Sequence, residues 1–260
     1  MKESEKIVPT AGEKKSVTEE KGFTAGEKGF TAGSDQLLIR SFDFTAHSLN
    51  ITLTDFIEKL PSGENESEAF AKEIEQVIVD ATTFLQPKAA YRIIDRASPD
   101  GDLLKPKSSN SHLNALLNTE LKKTEKIAVF ACTAGAEIEE LYRSYLKRGE
   151  SIKAFFADLL GTIAVGKILE LLYRELEKEY LNDGLHAGHA ISPGDCGWPL
   201  KEQAVLFSLL PEDCCGIHLN QSMMMIPQKS QSGIIPLGKG IRREKHRCSL
   251  CSSLNCPYRK

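Results

Sequence analysis

Three cysteines near the C-terminus have the spacing that most directly predicts chemistry. Cys248, Cys251 and Cys256 form a C-x2-C-x4-C motif, which lets one short loop present several thiolates to a single centre. The residues around them are mostly basic, and nearby cations stabilise deprotonated thiols. The motif predicts a metal, either zinc or an iron–sulfur cluster, and spacing alone does not choose between them. A fourth ligand could come from several sources: His246, Cys214, Cys215 or a partner protein.

A second candidate site is the loop between residues 184 and 199, which is rich in Gly, His, Ser and Pro. The loop ends in the run SPGDCGWPLKEQ, residues 192–203, where Pro199 suits the first turn of a helix. None of the six histidines forms a ligand spacing such as H-E-x-x-H. The loop is therefore unusual in composition, but its histidines do not predict a metal site.

Apolar periodicity predicts the elements that position these residues. Helices are expected where apolar residues recur at helical spacing, and strands where short apolar runs end in polar turns. The predicted helices are 67–84, 110–124, 136–147, 151–180 and 199–210. The predicted strands are 126–132, 215–219, 223–226 and 232–236. Helices followed by short strands indicate an α+β domain.

Several separated segments, taken in order, resemble the reactivation domain of cobalamin-dependent methionine synthase, also called its activation domain. The most specific is the SPGDCGWPLKEQ run with the LFSLL that follows it. The other segments are TAGAEIEEL (133–141), FFADLLG (155–161), GIHLN (216–220) and MMIPQKSQSG (224–233). Any one of these matches would be weak, but their common order makes the resemblance specific.

The resemblance implies an α+β fold with an antiparallel sheet and flanking helices, and a role in corrinoid chemistry. In that family the domain binds S-adenosylmethionine and covers the corrinoid. Oxidised cob(II)alamin is reduced by one electron and methylated by S-adenosylmethionine, which restores the active cofactor. The implied partner is a corrinoid protein or cobalamin-dependent methyltransferase, with the corrinoid on the partner or at the interface. The implied binding residues are His189, Ser192, Pro193, Gly194, Asp195, Trp198, Gln203, Met224, Lys229 and Ser230.

The chain departs from the family in its S-adenosylmethionine loop. The family pattern R-x-x-P-G-Y reads Ala190 to Asp195 here, so the arginine and the tyrosine are both replaced. His189 could supply a weaker cation, but a carboxylate prefers the guanidinium fork, and Asp195 would repel that carboxylate. Backbone groups around Pro193 and Gly194 could still hold the ligand. Retained and lost S-adenosylmethionine binding both remain open.

Composition argues against several functional classes. A net charge of −3 predicts no general attraction to nucleic acid, and charged residues interrupt the most apolar stretch, 152–176, so no membrane span is expected. The first 35 residues lack a basic start with an apolar run, and seven cysteines are an odd number, so a reducing, cytoplasmic location is expected. No phosphate-binding loop or Ser/His/Asp signature points to a hydrolase.

Four stretches are predicted along the chain. They are a disordered repeat-containing tail (1–35), a helical N-terminal part (36–125), a core similar to the reactivation domain (126–240) and a basic, Cys-rich metal-binding tail (241–260). The first contains the sequence EKGFTAG twice, at 20–26 and 27–33. Such a segment has too little apolar surface to offset its ordering entropy.

Two further positions allow more than one interpretation. Asp158 stands among Phe and Leu residues, where a buried carboxylate would need a partner, so it is either a site residue or a partly exposed helix acid. The methionines at 223–225 could contact a corrinoid or fill core gaps.

Two functional hypotheses follow. The first is an accessory protein for reductive reactivation of a corrinoid protein, with an iron–sulfur tail able to supply a low-potential electron. The second is a non-catalytic module that binds a corrinoid or a partner, with a structural zinc tail. Methionine synthesis by this chain is not expected, because it lacks room for the homocysteine, folate and cobalamin domains.

Overall fold

Seven strands and six α-helices form the part of the chain that the computed structural model describes, residues 39–60, 69–104, 121–195 and 198–243. The strands are β1 (Ile39–Asp43), β2 (Lys88–Asp95), β3 (Lys126–Thr133), β4 (His186–Ala187), β5 (His218–Leu219), β6 (Met225–Ile226) and β7 (Ser230–Gly238). The helices are α1 (Leu53–Ile57), α2 (Ala71–Ala81), α3 (Pro99–Leu103), α4 (Glu137–Lys147), α5 (Ser151–Tyr180) and α6 (Gln203–Leu209).

Five strands form one antiparallel sheet in the order β1-β2-β3-β7-β4. In its centre, Ala131 of β3 lies opposite Ser232 of β7, and Thr133 lies opposite Ser230. β5 and β6 pair with each other in a separate two-stranded hairpin. This arrangement confirms the predicted fold class, an α+β domain with an antiparallel sheet and flanking helices.

Both faces of the sheet are covered, which explains why β3 is apolar throughout rather than alternating. Ala128, Phe130 and Cys132 face a first core cluster that includes the buried side of α5. The intervening residues of β3 face a second core cluster, which includes Trp198 and the apolar side of α6. Side chains alternate between the faces of a strand, so neighbours in β3 contribute to different cores.

α5 is the longest element of the described chain and begins and ends where the sequence predicted. It runs for 30 residues from Ser151 to Tyr180, about 45 Å at 1.5 Å per residue. It is followed by a short 3-10 turn that ends at Gly184 with φ +72°, a left-handed conformation that glycine adopts without strain. The residues directly after this stop form the candidate site.

The sequence did not predict β1 and β2, because the stretch 36–125 was interpreted as helical. β2 carries charged and small residues at several positions, and its extended conformation is fixed by pairing with strands on both sides. The strand expected at 215–219 is shorter, because residues 214–216 form a 3-10 turn. The strand expected at 232–236 extends in both directions as β7.

Several predictions fall outside the described residues. They are the disordered tail (1–35), most of the helix expected at 110–124, and the metal-binding cysteines Cys248, Cys251 and Cys256. The boundaries of the four predicted stretches also remain predictions. Across the described ranges, none of the helices combines the length and the apolar character required to cross a lipid bilayer.

Candidate functional site

The predicted ligand loop forms a tight turn at Ser192–Asp195. The Asp195 N–H donates to the Ser192 carbonyl at 3.0 Å, and the Ser192 N–H donates to the Asp195 carboxylate at 3.2 Å. Gly194 has φ +96°, and its N–H donates to the Trp198 carbonyl at 2.7 Å. Pro193 is buried, Ser192 is half-buried, and Gly194 and Asp195 are exposed. The Asp195 side chain therefore closes the turn on itself.

The turn lies directly on β7 because Gly233 has no side chain. The N–H groups of Ile191 and Ile234 each donate to the other residue's carbonyl at 2.9 Å. A Cβ at Gly233 would lie 2.4 Å from the Ile191 carbonyl oxygen and 3.0 Å from Ser192 Oγ. Gln231 Nε2 adds a bond of 3.4 Å to that hydroxyl. The sheet thus holds the loop at its edge by close backbone approach.

Two buried polar atoms on this face of the sheet have no partner among the described residues. Gln203 and Ser232 are only 2% and 1% exposed, and neither Gln203 Nε2 nor Ser232 Oγ makes a hydrogen bond within the described chain. Ser232 shares its face of β7 with Ile234 of the second core cluster, and α6, which begins at Gln203, packs against β7. Unsatisfied buried polar groups cost about 1–3 kcal/mol each, so they mark where a polar molecule would be stabilised.

The start of the loop is tied to α5 and to the end of the described chain. The Ala190 N–H donates to Tyr173 Oη at 2.6 Å. The Arg243 guanidinium lies over the ring of Tyr173, 4.3 Å from its centroid, and pairs with Glu170 at 3.0 Å. His189 is half-buried beside this contact. Tyr173 and Arg243 were not predicted as site residues, because a tyrosine on the apolar face of a helix has the pattern of a core residue.

Lys229 and Ser230 lie at the start of β7, against α5 and the end of β3. Lys229 Nζ pairs with Asp158 at 2.8 Å and donates to Thr162 Oγ1 at 3.1 Å. Ser230 Oγ donates within 2.8 Å to Thr133 Oγ1 or the Pro227 carbonyl. Asp158 is 58% exposed, so it is a partly exposed helix acid with a partner, the second of the two interpretations.

A cleft of about 260 Å³ opens beside the Lys229–Asp158 pair, where α4 and α5 meet the turn before β7. Glu139 binds both Arg143, at 2.8 Å, and the Gln228 N–H, at 3.0 Å. The lining residues are Ile138, Glu139, Tyr142, Arg143, Ala157, Asp158, Gln228 and Lys229. Carboxylates in the first turn of a helix are stabilised by its dipole, so Glu139 needed no other role in the sequence and the cleft was not predicted.

The hairpin of β5 and β6 exposes apolar side chains at its tip. Met224 is 53% exposed and Ile226 is 40% exposed, whereas Met225 packs against the second core cluster. Met225 therefore fills a gap in the core, whereas contact of the exposed Met224 with a corrinoid stays a prediction. Trp198 and Gln203, by contrast, are buried behind the loop.

The comparison with solved structures shows which fold this is. The chain matches a crystal structure described as the MetH reactivation domain bound to AdoHcy, with a TM-score of 0.58 and 15% sequence identity over 81% of each chain. The chain has the reactivation-domain fold. At this identity the match shows the fold alone. No family model matches the sequence, and no curated protein matches it.

Within the reactivation-domain fold, the ten predicted site residues fall into three groups. His189 to Asp195, with Trp198 and Gln203 behind, form the loop on β7, while Lys229 and Ser230 lie at the start of that strand, and Met224 lies at the hairpin tip. Among the described residues, no cluster of three or more His, Cys, Asp or Glu side chains could hold a metal ion. The predicted metal ligands lie outside that part of the chain.

Proposed function

We propose that this protein binds an S-adenosyl ligand and supports the reductive reactivation of a corrinoid protein. The observation that carries the proposal is the turn at Ser192–Asp195, packed on Gly233 of β7 within the reactivation-domain fold, whose solved example is described as bound to AdoHcy. Bound S-adenosylmethionine would supply a methyl group. The chain's own residues would bind and orient that ligand.

The buried polar atoms near the loop fit a nucleoside ligand. The Gln203 amide offers N–H donors, and the Ser232 hydroxyl can donate or accept. An adenosyl group carries ring nitrogens and ribose hydroxyls that match both kinds of group. Hydrogen bonds from a ligand to these two buried atoms would remove the free-energy cost of leaving them unpaired. These two side chains are the leading candidates for direct ligand contacts.

Arg243 is the cation best placed to assist an amino-acid carboxylate. Lys229 and Arg243 each pair with a carboxylate, of Asp158 and Glu170. Arg243 also lies on the ring of Tyr173, whose hydroxyl accepts the Ala190 N–H. Its side chain is 34% exposed, so its remaining donors are open to solvent. A guanidinium presents five donors, and its pairing with Glu170 leaves some for a second anion.

The hairpin tip supplies the apolar surface that a corrinoid or its protein would cover. Met224 and Ile226 are both more than a third exposed, and a methionine side chain adapts its shape to a contacting surface. In this proposal the loop holds the methyl donor and the hairpin contacts the corrinoid partner.

Isothermal titration of the full chain with S-adenosylhomocysteine tests ligand binding. We expect saturable binding that Gln203→Leu weakens about tenfold, since an unpaired ligand group costs on the order of 1–2 kcal/mol. Gln228→Leu is the matched control, because Gln228 is exposed and its backbone N–H contact to Glu139 does not depend on its side chain. Absence of binding by the unaltered protein would contradict the proposal.

Anaerobic metal analysis and absorption spectra test whether the protein holds an iron–sulfur cluster that reduces a corrinoid. We expect iron with a reducible absorption band that is lost when Cys248, Cys251 and Cys256 are all changed to Ser. Mixing the reduced protein with a cob(II)alamin-loaded corrinoid protein and S-adenosylmethionine should convert the corrinoid spectrum to that of methylcobalamin. Iron without any change in the corrinoid spectrum would exclude reactivation of that partner.

A non-catalytic corrinoid- or partner-binding module with a zinc tail is the second candidate. One observation favours it: the Ser192 N–H already bonds the protein's own Asp195 carboxylate, so this backbone donor is not free for a ligand anion. Colourless protein with stoichiometric zinc, and no titration signal with S-adenosylhomocysteine, would support this candidate over the first.

A further inference from the structure

Two adjacent cysteines form a dithiol between α6 and β5. Cys214 and Cys215 occupy the 3-10 turn 214–216, and their Sγ atoms lie 4.0 Å apart. Asp213 and Cys215 have φ of +55° and +58°, a left-handed conformation that non-glycine residues seldom adopt. The turn is closed by the Gly216 N–H, which donates to the Asp213 carbonyl at 2.8 Å.

The dithiol lies against the sheet, in the core cluster that also contains the chain's single tryptophan. Cys214 is 5% exposed and belongs to the second core cluster with Trp198 and Ile217. Cys215 is half-buried, and its Sγ lies 3.7 Å from the Ala131 carbonyl oxygen of β3. Asp213 and Gly216, on either side of the two cysteines, are exposed. A small reagent therefore reaches the sulfurs by local opening of one short turn.

The two thiols differ in acidity. The hydrogen bond with Cys215 lowers the pKa of Cys214 despite its burial, while the same bond and burial raise the pKa of Cys215. The thiolate is the nucleophile in disulfide exchange, so Cys214 reacts first. Burial raises the pKa of Cys132, on the neighbouring strand, to about 12, which makes that thiol unreactive.

We propose that Cys214 and Cys215 are a redox-active vicinal dithiol that a low-molecular-weight disulfide converts to an intramolecular disulfide. The Cys214 thiolate attacks the reagent, breaking its S–S bond and releasing one thiolate. Cys215 then loses its proton to solvent and attacks the Cys214 sulfur, releasing the second thiol. Two protein thiols are oxidised and one reagent disulfide is reduced to two thiols.

The oxidised turn must differ in shape from the reduced one. Neighbouring Cα atoms are about 3.8 Å apart, below the usual range of about 4.4–6.8 Å for disulfides, so the ring is strained and easily reduced. Cys214 of this turn and Trp198 belong to the same core cluster, and the chain continues from the turn into β5 of the hairpin. Oxidation is therefore expected to alter the surroundings of Trp198. This inference does not depend on the proposed function.

Thiol mapping of the full reduced chain, after exposure to oxidised glutathione, tests the proposal. Free thiols are blocked with iodoacetamide and the protein is cleaved with trypsin. The fragment 202–229 contains Cys214 and Cys215 and no other cysteine. We expect this fragment unalkylated and lighter by two hydrogens, restored to two alkylated thiols by dithiothreitol. A fragment that stays doubly alkylated, or is linked to another fragment, overturns the proposal.

Variants and fluorescence provide independent controls. Cys214→Ser and Cys215→Ser should each prevent ring closure, whereas Cys132→Ser should leave it unchanged. Tryptophan fluorescence should fall on oxidation and recover on reduction, and should do so equally in Cys196→Ser and in a variant with all three tail cysteines replaced. If the fluorescence change disappears in either of those last variants, the signal comes from another cysteine and the assignment to this turn is wrong.

Discussion

The hydroxyl oxygen of Tyr173 accepts a hydrogen bond of 2.6 Å from the backbone N–H of Ala190, which connects the middle of α5 to the first residues of the candidate loop. Tyr173 is 4% exposed, so water does not readily replace its hydroxyl. This side chain thus adds a contact between the loop and α5 to those that the loop makes with β7.

Tyr173→Phe should loosen this loop while preserving the packing of the ring. The lost bond should cost about 0.5–1.5 kcal/mol of unfolding free energy, and the Ala190 amide should exchange its hydrogen with solvent faster. Hydrogen exchange with fragment separation measures the second effect. Tyr142→Phe, on α4 and outside this loop, is the matched control. Unchanged exchange at Ala190 would show that the contact does not hold the loop.

Gly233→Ala should displace the loop from β7. A methyl group there would lie 2.4 Å from the Ile191 carbonyl oxygen, and such overpacking costs about 1–3 kcal/mol. Urea unfolding measures the loss of stability, and titration with S-adenosylhomocysteine should show weaker binding.

Gly166→Ala is the control for that substitution, because its Cβ would meet no atom within 4 Å. Gly166 is exposed within α5, so alanine should raise the unfolding free energy by about 0.5–1 kcal/mol. If both substitutions changed the unfolding free energy in the same direction and by similar amounts, the close backbone approach at Gly233 would not explain the effect.

The ion pair between Lys229 and Asp158 should contribute little to stability. Their side chains are 18% and 58% exposed, and pairs open to water couple by about 0.2–1 kcal/mol. A double-mutant cycle with Lys229→Met and Asp158→Asn, measured by urea unfolding, gives the coupling directly. The coupling should shrink in high salt. A larger coupling, insensitive to salt, would show that the pair is effectively buried.

Stability should fall at alkaline pH partly because of Cys132. Its pKa is raised by burial from 9.0 to about 12, so between these values the unfolded chain releases this proton and the folded chain keeps it. The folded state then binds more protons, and the unfolding free energy decreases as pH rises from 9. Cys132→Ala should flatten this slope in unfolding curves measured across that range. An unchanged slope would assign the effect to other groups.

Local sequence patterns predicted much of the scaffold. The unbroken apolar periodicity of α5 and the glycine stop after it predicted a helix that begins at Ser151 and ends at Tyr180, because both signals act within a few residues. The apolar run of β3 was predicted for the same reason. β2 was missed because its extended conformation depends on strands far away in the chain.

The candidate site, too, was predicted from the sequence only in part. The run from Ser192 to Gln203 was predicted as a ligand loop from its resemblance to the reactivation domain, but the charge of Asp195 was interpreted as a repulsion toward a ligand. In the fold that carboxylate accepts the Ser192 N–H and closes the turn. Short-range hydrogen bonds of Asp side chains are common in turns, but the sequence pattern did not identify which N–H group would donate to the Asp195 carboxylate.

The sequence by itself determined the fold class, the long helix and the position of the loop that follows it, since periodicity, turn residues and caps operate over short distances. Only the tertiary structure decided that Gly233 admits the loop onto β7, that Tyr173 accepts a bond from Ala190, and that Cys214 shares a core cluster with Trp198. Each of these contacts joins residues that the chain brings together through sheet order and packing. Such proximity depends on the whole arrangement of elements, which no local pattern encodes.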